Sequence, residues 1–99
     1  MPSAEFLPRT RLAAGVLDTE SCVIDADSDQ VAITALRFDN GADALTILYF
    51  VNDEFAGGGA SHATHVETLN GPFAAGATFR ARIEAPDEGA ELALTLTWG

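Results

Sequence analysis

The residues best suited to chemistry follow a glycine-rich stretch in the middle of the chain. Ser61, His62 and His65 lie close together there, with carboxylates at Asp53 and Glu67 on either side. Two histidines and a carboxylate can bind a transition metal, and a serine beside a histidine can become a nucleophile. Both kinds of site need rigid positioning, whereas these residues span a flexible loop and the start of a strand. The sequence therefore predicts exposed loop histidines, no metal ligand and no catalytic residue.

A second candidate is the acidic segment of residues 25–29, where Asp25, Asp27 and Asp29 place oxygens at alternate positions. A calcium loop begins in this way, but it continues with a glycine and ends with a bidentate glutamate. Gln30 and Leu36 occupy those two positions here. A solvated acidic turn is therefore favoured over a cation site, and no cofactor is predicted.

Aromatic side chains are a third candidate, because rings can form a platform for stacking against sugars. The candidate rings for such a platform are those of Tyr49, Phe55, Phe73 and Trp98. They are scattered over different elements, and Trp98 belongs to an inward-facing pattern. The core is therefore the favoured place for these residues.

Charge narrows the range of partners. The chain has 15 acidic and five basic residues, a net charge of −10 and no lysine. Such a surface repels phosphate backbones, so no nucleic-acid partner is expected. The sequence has no run of eighteen apolar residues and no signal-peptide pattern, so we expect no membrane span and synthesis in the cytoplasm. A GC-rich genome explains arginine without lysine, and the acidic surface would also suit a saline environment.

The elements that must position these residues are short strands, and the central one is predicted within residues 43–52. It is rich in β-branched and aromatic residues and is apolar on both faces. The first face carries Leu45, Ile47, Tyr49 and Val51, and the second carries Ala44, Thr46, Leu48 and Phe50. A strand with one solvated face should alternate between apolar and polar residues. This strand therefore lies within a two-sided core, or one of its faces is kept for a partner.

Further strands are predicted over Glu20–Ile24, Val31–Asp39, His65–Leu69, Thr78–Glu84 and Glu91–Trp98. Asn40-Gly41 favours a tight hairpin into the central strand. In the strand before it, the apolar residues change from one face to the other near Ala35, and a β-bulge there would bring both sets to the same face. Asn70-Gly71-Pro72 is a turn signal. The run Gly57–Gly59 is too flexible for a strand, so residues 53–64 are predicted to form a mobile loop.

Regular alternation fixes the inward faces of the last two strands. These inward residues are Phe79, Ala81, Ile83, Leu92, Leu94, Leu96 and Trp98. The two strands are expected to pair with each other across the turn that joins them.

The fold class predicted from these strands is all-β, an antiparallel β-sandwich of jelly-roll or immunoglobulin-like type with seven to eight strands. Residues 1–9 are predicted to form an extended N-terminal arm, and residues 10–99 a single sandwich domain. A free arm would leave the apolar side chains of Phe6 and Leu7 exposed to water. They either tuck onto the domain itself or bind a neighbouring subunit.

The order of elements resembles small bacteriophage and archaeal-virus virion accessory proteins, the head-decoration and tail-accessory modules built on such sandwiches. The resemblance rests on residues 11–19 (RLAAGVLDT), 36–47 (LRFDNGADALTI), 71–78 (GPFAAGAT) and 91–97 (ELALTLT). It implies a non-enzymatic virion structural protein that decorates a capsid or fits a tail or portal region. The implied partners are major capsid or tail proteins and further copies of the chain, and the implied location is the virion.

Such a subunit is expected to bind its neighbours through apolar and glycine-rich residues that the core of the domain does not need. The candidate interface residues are Phe6, Leu7, Leu48, Phe50, Phe55, Gly57, Gly58 and Gly59. Three alternatives remain open. They are a cell-surface or pilus-type binding module of a salt-adapted organism, a small carbohydrate- or cation-binding sandwich, and a small hydrolase that uses Ser61.

Overall fold

Short alternating segments separated by turn residues fold into strands in a computed structural model, which describes residues 2–39 and 44–99. Within these residues there are nine strands and no helix, and therefore no helix that could span a membrane. The strands are β1 (Ser3–Arg11), β2 (Gly15–Asp18), β3 (Cys22–Val23), β4 (Ser28–Arg37), β5 (Leu45–Val51), β6 (Glu54–Ser61), β7 (His65–Phe73), β8 (Thr78–Ala85) and β9 (Glu91–Thr97).

The strands form two antiparallel sheets that pack face to face. The first sheet has the order β1-β9-β4-β7, and the second has the order β2-β8-β5-β6 with β3 beside β8. The predicted all-β sandwich is confirmed, with nine described strands in place of seven to eight. Strands β6 and β7 lie at the edges of the two sheets, and a few residues of each contact the other.

Strand β5 occupies the middle of the second sheet, between β8 and β6. Its first face is buried in the core, and the side chains of Thr46, Leu48 and Phe50 on its second face are half-buried. The inward faces predicted for β8 and β9 are also buried as expected. A period of two residues is a local property of the chain, so the sequence specifies it well.

The strand partners predicted from neighbouring segments are wrong. β4 and β5 lie in different sheets, and so do β8 and β9. The turn Asn40-Gly41 lies outside the described residues. The register shift in β4 falls between Ser28 and Gln30. The bulge predicted near Ala35 is not needed, because the Leu36 side chain faces outward and does not have to join the buried face. In a sandwich, connections that cross between the sheets place two apolar faces against each other, which a hairpin within one sheet cannot do.

The segment predicted as an extended arm is a sheet strand from Ser3 onward. β1 pairs with β9 along its length, with register shifts on either side of Leu7. Phe6 and Leu7 are each 7% exposed and belong to the core of their own domain. Of the two alternatives for these residues, packing onto the domain itself is therefore observed.

The predicted glycine loop is strand β6, which pairs with β5. Gly58 has φ of +127°, and a Cβ at this position would collide with the Ile47 carbonyl oxygen and approach Leu48 Cα to 2.9 Å. The glycine run is thus needed where two strands approach too closely for a side chain. The loop prediction for residues 53–64 is wrong over Glu54–Ser61.

Candidate functional site

Three adjoining clefts surround Phe73 at the end of β7. Their volumes are about 870, 590 and 280 Å³, and Phe73 lines all three. The first and second also share Asn70, and the first and third share Pro72. We call the joined clefts the Phe73 groove. The two larger volumes fall in the range of small-molecule sites.

The first cleft is polar and lies between the start of β4 and the end of β7. Its lining includes the exposed side chains of Asp27, Asp29, Gln30 and Asn70. Gln30 Nε2 donates a hydrogen bond to Asn70 Oδ1 at 2.9 Å, across the β4–β7 ladder. Amides both donate and accept, whereas carboxylates accept. This wall of the groove therefore suits a ligand with many hydroxyl groups.

Phe73 is half-buried and tightly held. Its ring meets the Phe79 ring edge to face, with centroids 5.3 Å apart. Gly71 approaches it so closely that a Cβ there would lie 2.5 Å from Phe73 N and 2.9 Å from Phe73 Cδ2. Phe73 is therefore an aromatic side chain of the groove whose position is fixed by its neighbours before any ligand arrives.

The second cleft lies between the edge strands β6 and β7. Residues His65, Glu67 and Leu69 of β7 are more buried than their neighbours, so they face inward. The Glu67 carboxylate extends over Gly57, where an ideal Cβ would be 3.4 Å from Glu67 Oε1. Asn52, Glu54 and Thr68 complete the polar lining of this cleft.

Tyr49 lies on β5 directly opposite Gly57, the glycine over which the Glu67 carboxylate extends. Its side chain is 1% exposed, and its hydroxyl has no hydrogen-bond partner among the described residues. Burial, together with the negative charge of Glu67, raises the pKa of Tyr49 and keeps the phenol neutral. An unpaired buried hydroxyl is rare in folded proteins and calls for an explanation.

The acidic segment 25–29 serves the fold. Asp25 Oδ1 accepts a hydrogen bond from Trp98 Nε1 at 2.9 Å, and Asp27 Oδ1 accepts one from the Ala75 amide at 2.8 Å. Asp27 and Asp29 also line the first cleft. Across the residues that the structure describes, no three His, Cys, Asp or Glu side chains gather in a metal-binding arrangement.

The structure brings Ser61 and His65 together but separates them from Asp53. Ser61 is 2% exposed, and its Oγ lies 3.3 Å from both His65 Nδ1 and the Ala63 carbonyl oxygen. Asp53 instead pairs with Arg80 Nε at 3.1 Å. The serine and histidine therefore link β6 to β7 across their turn, while His62 is exposed on that turn.

The remaining candidate interface residues lie in the second sheet. Phe50 packs beneath the Arg80 guanidinium, whose central carbon is 4.3 Å from the ring centroid. The Phe55 ring meets the Phe50 ring edge to face, with ring centroids 6.1 Å apart. Phe55 is 64% exposed and lines the second cleft. Leu48 lies opposite Gly58 on the same outer face as Phe50. An interface role for Leu48, Phe50, Phe55 and Gly57–Gly59 stays a prediction.

Sequence reasoning missed most of the groove. It assigned Phe73 to the core with Tyr49 and Trp98, and it read Asn70-Gly71-Pro72 as a turn, although β7 continues to Phe73. The signal that could have identified the site is an aromatic residue directly after Asn-Gly-Pro, since such a segment often shapes a surface at the end of a strand. Gln30 and Glu67 carry no such local signal.

Comparison with solved structures reveals carbohydrate-related neighbours. A family 35 carbohydrate-binding module from Clostridium thermocellum matches with a TM-score of 0.61 and 9% identity, and the match covers 100% of both chains. The catalytic domain of a GH87 alpha-1,3-glucanase in complex with nigerose matches 92% of this chain, with a TM-score of 0.58 and 10% identity. The catalytic unit of a GH87 alpha-1,3-glucanase from Streptomyces thermodiastaticus strain HF3-3 matches 98%, with a TM-score of 0.55 and 10% identity.

This chain corresponds to only 22% and 25% of the two glucanase chains. No protein-family model matches the sequence, and no curated protein matches it significantly. At this level of identity the structural likeness shows the fold, a sandwich like that of the carbohydrate-binding module.

The leading prediction of a virion structural protein is corrected by these neighbours. The matching sandwiches described above are a carbohydrate-binding module and parts of glucanases, not capsid or tail proteins. They favour one of the alternatives, the carbohydrate-binding sandwich. The error arose because alternating strands of this length are common to many sandwiches, so the order of elements does not distinguish their functions. The homo-oligomer, the virion partners and the virion location rested on the same resemblance and stay untested predictions.

Proposed function

We propose that this domain is a carbohydrate-binding module that holds a glycan chain in the Phe73 groove. The observation that carries the proposal is the position of Phe73, a fixed aromatic ring shared by three adjoining clefts. The full-length likeness to a family 35 carbohydrate-binding module supports it.

The lining of the groove suits sugar chemistry. A sugar ring has an apolar face of C–H groups and an equatorial rim of hydroxyls. The apolar face packs against an aromatic ring, and the hydroxyls bond to amide and carboxylate groups such as those of Gln30, Asn70 and Asp29. Ligand sites typically combine an apolar floor with a few convergent polar groups in this way.

The shape of the groove favours an oligosaccharide over a single sugar. Phe73 stands between the first and second clefts, so a chain can occupy both while one of its rings contacts Phe73. Each added sugar ring buries further surface, and affinity grows with the number of rings until the clefts are filled.

Binding without catalysis is the activity that the comparisons support best. One match that spans the whole of both chains is a carbohydrate-binding module, whereas the glucanase matches correspond to a small part of each glucanase. We therefore propose that any hydrolysis of the bound glycan is performed by another protein or another domain.

The test is calorimetric titration of the chain with a panel of gluco-oligosaccharides of different linkage, including nigerose. Phe73→Ala should weaken binding at least about tenfold, because it removes the shared ring. Gln30→Ala and Asn70→Ala alter exposed side chains and should weaken binding about threefold or more without loss of folding.

Phe38→Ala is the matched control, because Phe38 is also a partly exposed aromatic but lies at the opposite end of β4 from the groove. It should bind as the unchanged chain does. Equal affinity of the groove variants and the control, or no glycan binding by the unchanged chain, would contradict the proposal.

A further inference from the structure

We propose that Phe55 is a second sugar-stacking ring of the Phe73 groove, reached only by a glycan that passes through the second cleft, and that it makes the domain prefer long glycan chains to short ones. This inference rests on the proposed glycan-binding function and names the chain length that the groove selects.

Phe55 combines exposure to solvent with a place in the groove. It is 64% exposed, so it does not lie in the core, where the sequence pattern favoured placing it. It lines the second cleft together with Phe73, but it does not line the first or the third cleft. A glycan that is seated on Phe73 must therefore extend through the second cleft to contact Phe55.

Exposure of one apolar side chain indicates little by itself, since such residues are scattered over most protein surfaces. The exposed side chains of Val16, Val23 and Val66 are examples, and none of them lines the Phe73 groove. Phe55 differs from these valines because it lies in a cleft that already contains a fixed aromatic ring.

The backbone holds Phe55 at a defined point of the edge strand β6. Asn52 and Asp53 connect β5 to β6 with φ of 50° and 65°, and positive φ at both residues is typical of a type I′ turn. The Asn52 amide donates a hydrogen bond to the Thr78 carbonyl oxygen at 2.9 Å, which ties this turn to β8. The β5–β6 register shifts directly after Phe55, where Ala56 is the inserted residue of a bulge. Bulges of this kind change the direction of the neighbouring side chains.

The ring of Phe55 is also held by its neighbours. It meets the Phe50 ring edge to face, with centroids 6.1 Å apart and ring planes at 74°. The Arg80 guanidinium lies over Phe50, 4.3 Å from the ring centroid, and its Nε pairs with Asp53 Oδ1 at 3.1 Å. These contacts restrict the Phe55 ring before a ligand binds, so less conformational freedom is lost on binding.

The surroundings of Phe55 suit a sugar ring. The apolar face of the sugar can pack against the exposed phenyl ring. Its hydroxyls can bond to the polar side chains of the second cleft, which are those of Asn52, Glu54, Glu67, Thr68 and Asn70. A short glycan on Phe73 gains nothing from this second ring, whereas a chain that spans both rings gains a second contact without a separate binding event.

The experiment uses the full chain and calorimetric titration. The probes are linear gluco-oligosaccharides from the disaccharide to the hexasaccharide, all with the linkage that binds best in the panel. The affinity of the unchanged chain should rise with the length of the probe.

Phe55→Ala removes the second ring. It should lower the affinity for the longest probe about two- to tenfold and leave the affinity for the shortest measurable probe unchanged. Phe73→Ala should instead weaken the binding of every probe. Phe55→Trp keeps an aromatic ring and should preserve the preference for long chains. Because Phe55 is exposed, Phe55→Ala should unfold in urea close to the midpoint of the unchanged chain.

Phe38→Ala is the matched control. Phe38 is also a partly exposed ring beneath an arginine, with the Arg9 guanidinium 4.3 Å from its centroid, but it lines none of the three clefts. This variant should keep both the affinity and the preference for long chains.

The possible failures of the two proposals are distinct. If the chain binds glycans but its affinity does not rise with length, or if Phe55→Ala keeps the full rise, the inference is overturned and the glycan-binding function stands. An equal loss for every probe in Phe55→Ala would also overturn the inference, because the ring would then act on short chains as well. If the unchanged chain binds no glycan, both proposals are overturned.

Discussion

The ring of Phe73 meets the ring of Phe79 edge to face, with centroids 5.3 Å apart and ring planes at 74°. Phe73 ends β7 in the first sheet, whereas Phe79 is the second residue of β8 in the second sheet and is fully buried. The pair therefore joins the two sheets at the groove and ties the proposed sugar platform to the core. Such pairs contribute about 0.5–1.5 kcal/mol beyond the area that they bury.

The first prediction concerns Gly71, which lies against this pair. Gly71→Ala places a methyl group where Phe73 N and Cδ2 now lie, and it also approaches the Asp29 carbonyl oxygen to 3.0 Å. Phe73 must then shift, so we expect glycan affinity to fall at least about tenfold and stability to fall by about 1–3 kcal/mol. Calorimetric titration and urea unfolding measure the two effects. Unchanged affinity in Gly71→Ala would mean that the position of Phe73 is unimportant for binding.

The second prediction compares two neighbouring glycines of β6. A Cβ at Gly58 collides with backbone atoms of Ile47 and Leu48, whereas a Cβ at Gly59 meets nothing within 4 Å. Gly58→Ala should therefore destabilise the fold by about 1–3 kcal/mol or more, and Gly59→Ala should cost clearly less. Urea unfolding of both variants tests this. Equal stability of the two would show that the strands separate easily at this point.

The third prediction concerns Arg37 and Asp39. Arg37 has a side chain that is 2% exposed, and its Nε and Nη2 both donate to the Asp39 carboxylate at 2.9 Å. These bonds lower the pKa of Asp39 from its ordinary value of 3.8 to about 2. Because the pKa is lower in the folded state, this contribution to stability is fully present above about pH 5 and is lost as the pH falls from 4 to 2.

Asp39→Asn should therefore be less stable than the unchanged chain at pH 7, by about 1–3 kcal/mol, and the gap should narrow at pH 2.5. Unfolding by urea at a series of pH values measures the gap. Asp87→Asn, in the exposed turn before β9, is the matched control. A gap for Asp39→Asn that stays constant with pH would count against the ion pair.

The fourth prediction concerns Trp98, the single tryptophan of the chain. It is buried, and its Nε1 donates to Asp25 at 2.9 Å. Asp25→Ala leaves this donor without its acceptor, so we expect a loss of about 1–3 kcal/mol. Tryptophan fluorescence follows the unfolding directly. Asp29→Ala, a neighbouring exposed carboxylate, should unfold as the unchanged chain does, and equal stability of both variants would contradict a structural role for Asp25.

The sequence predicted which side chains face the core but not which strands lie together. Alternation along β5, β8 and β9 is a local pattern, and burial of Tyr49, Phe79 and Leu94 follows it. Strand partners depend on contacts between distant segments, and turn residues such as Asn40-Gly41 suggested hairpins between strands that lie in different sheets. The run Gly57–Gly59 was predicted to be a loop for the same reason, because the contact that requires Gly58 is made with β5, a different segment of the chain.

By itself, then, the sequence determined an all-β sandwich, its inward faces and an acidic surface, because composition and a two-residue period act within each segment. The tertiary structure alone decided that β1 completes the first sheet, that Phe73 joins Gln30 and Asn70 in one groove, and that Glu67 lies over Gly57 beside Tyr49. These groups come from separate strands. Only the packing of the two sheets brings them close together.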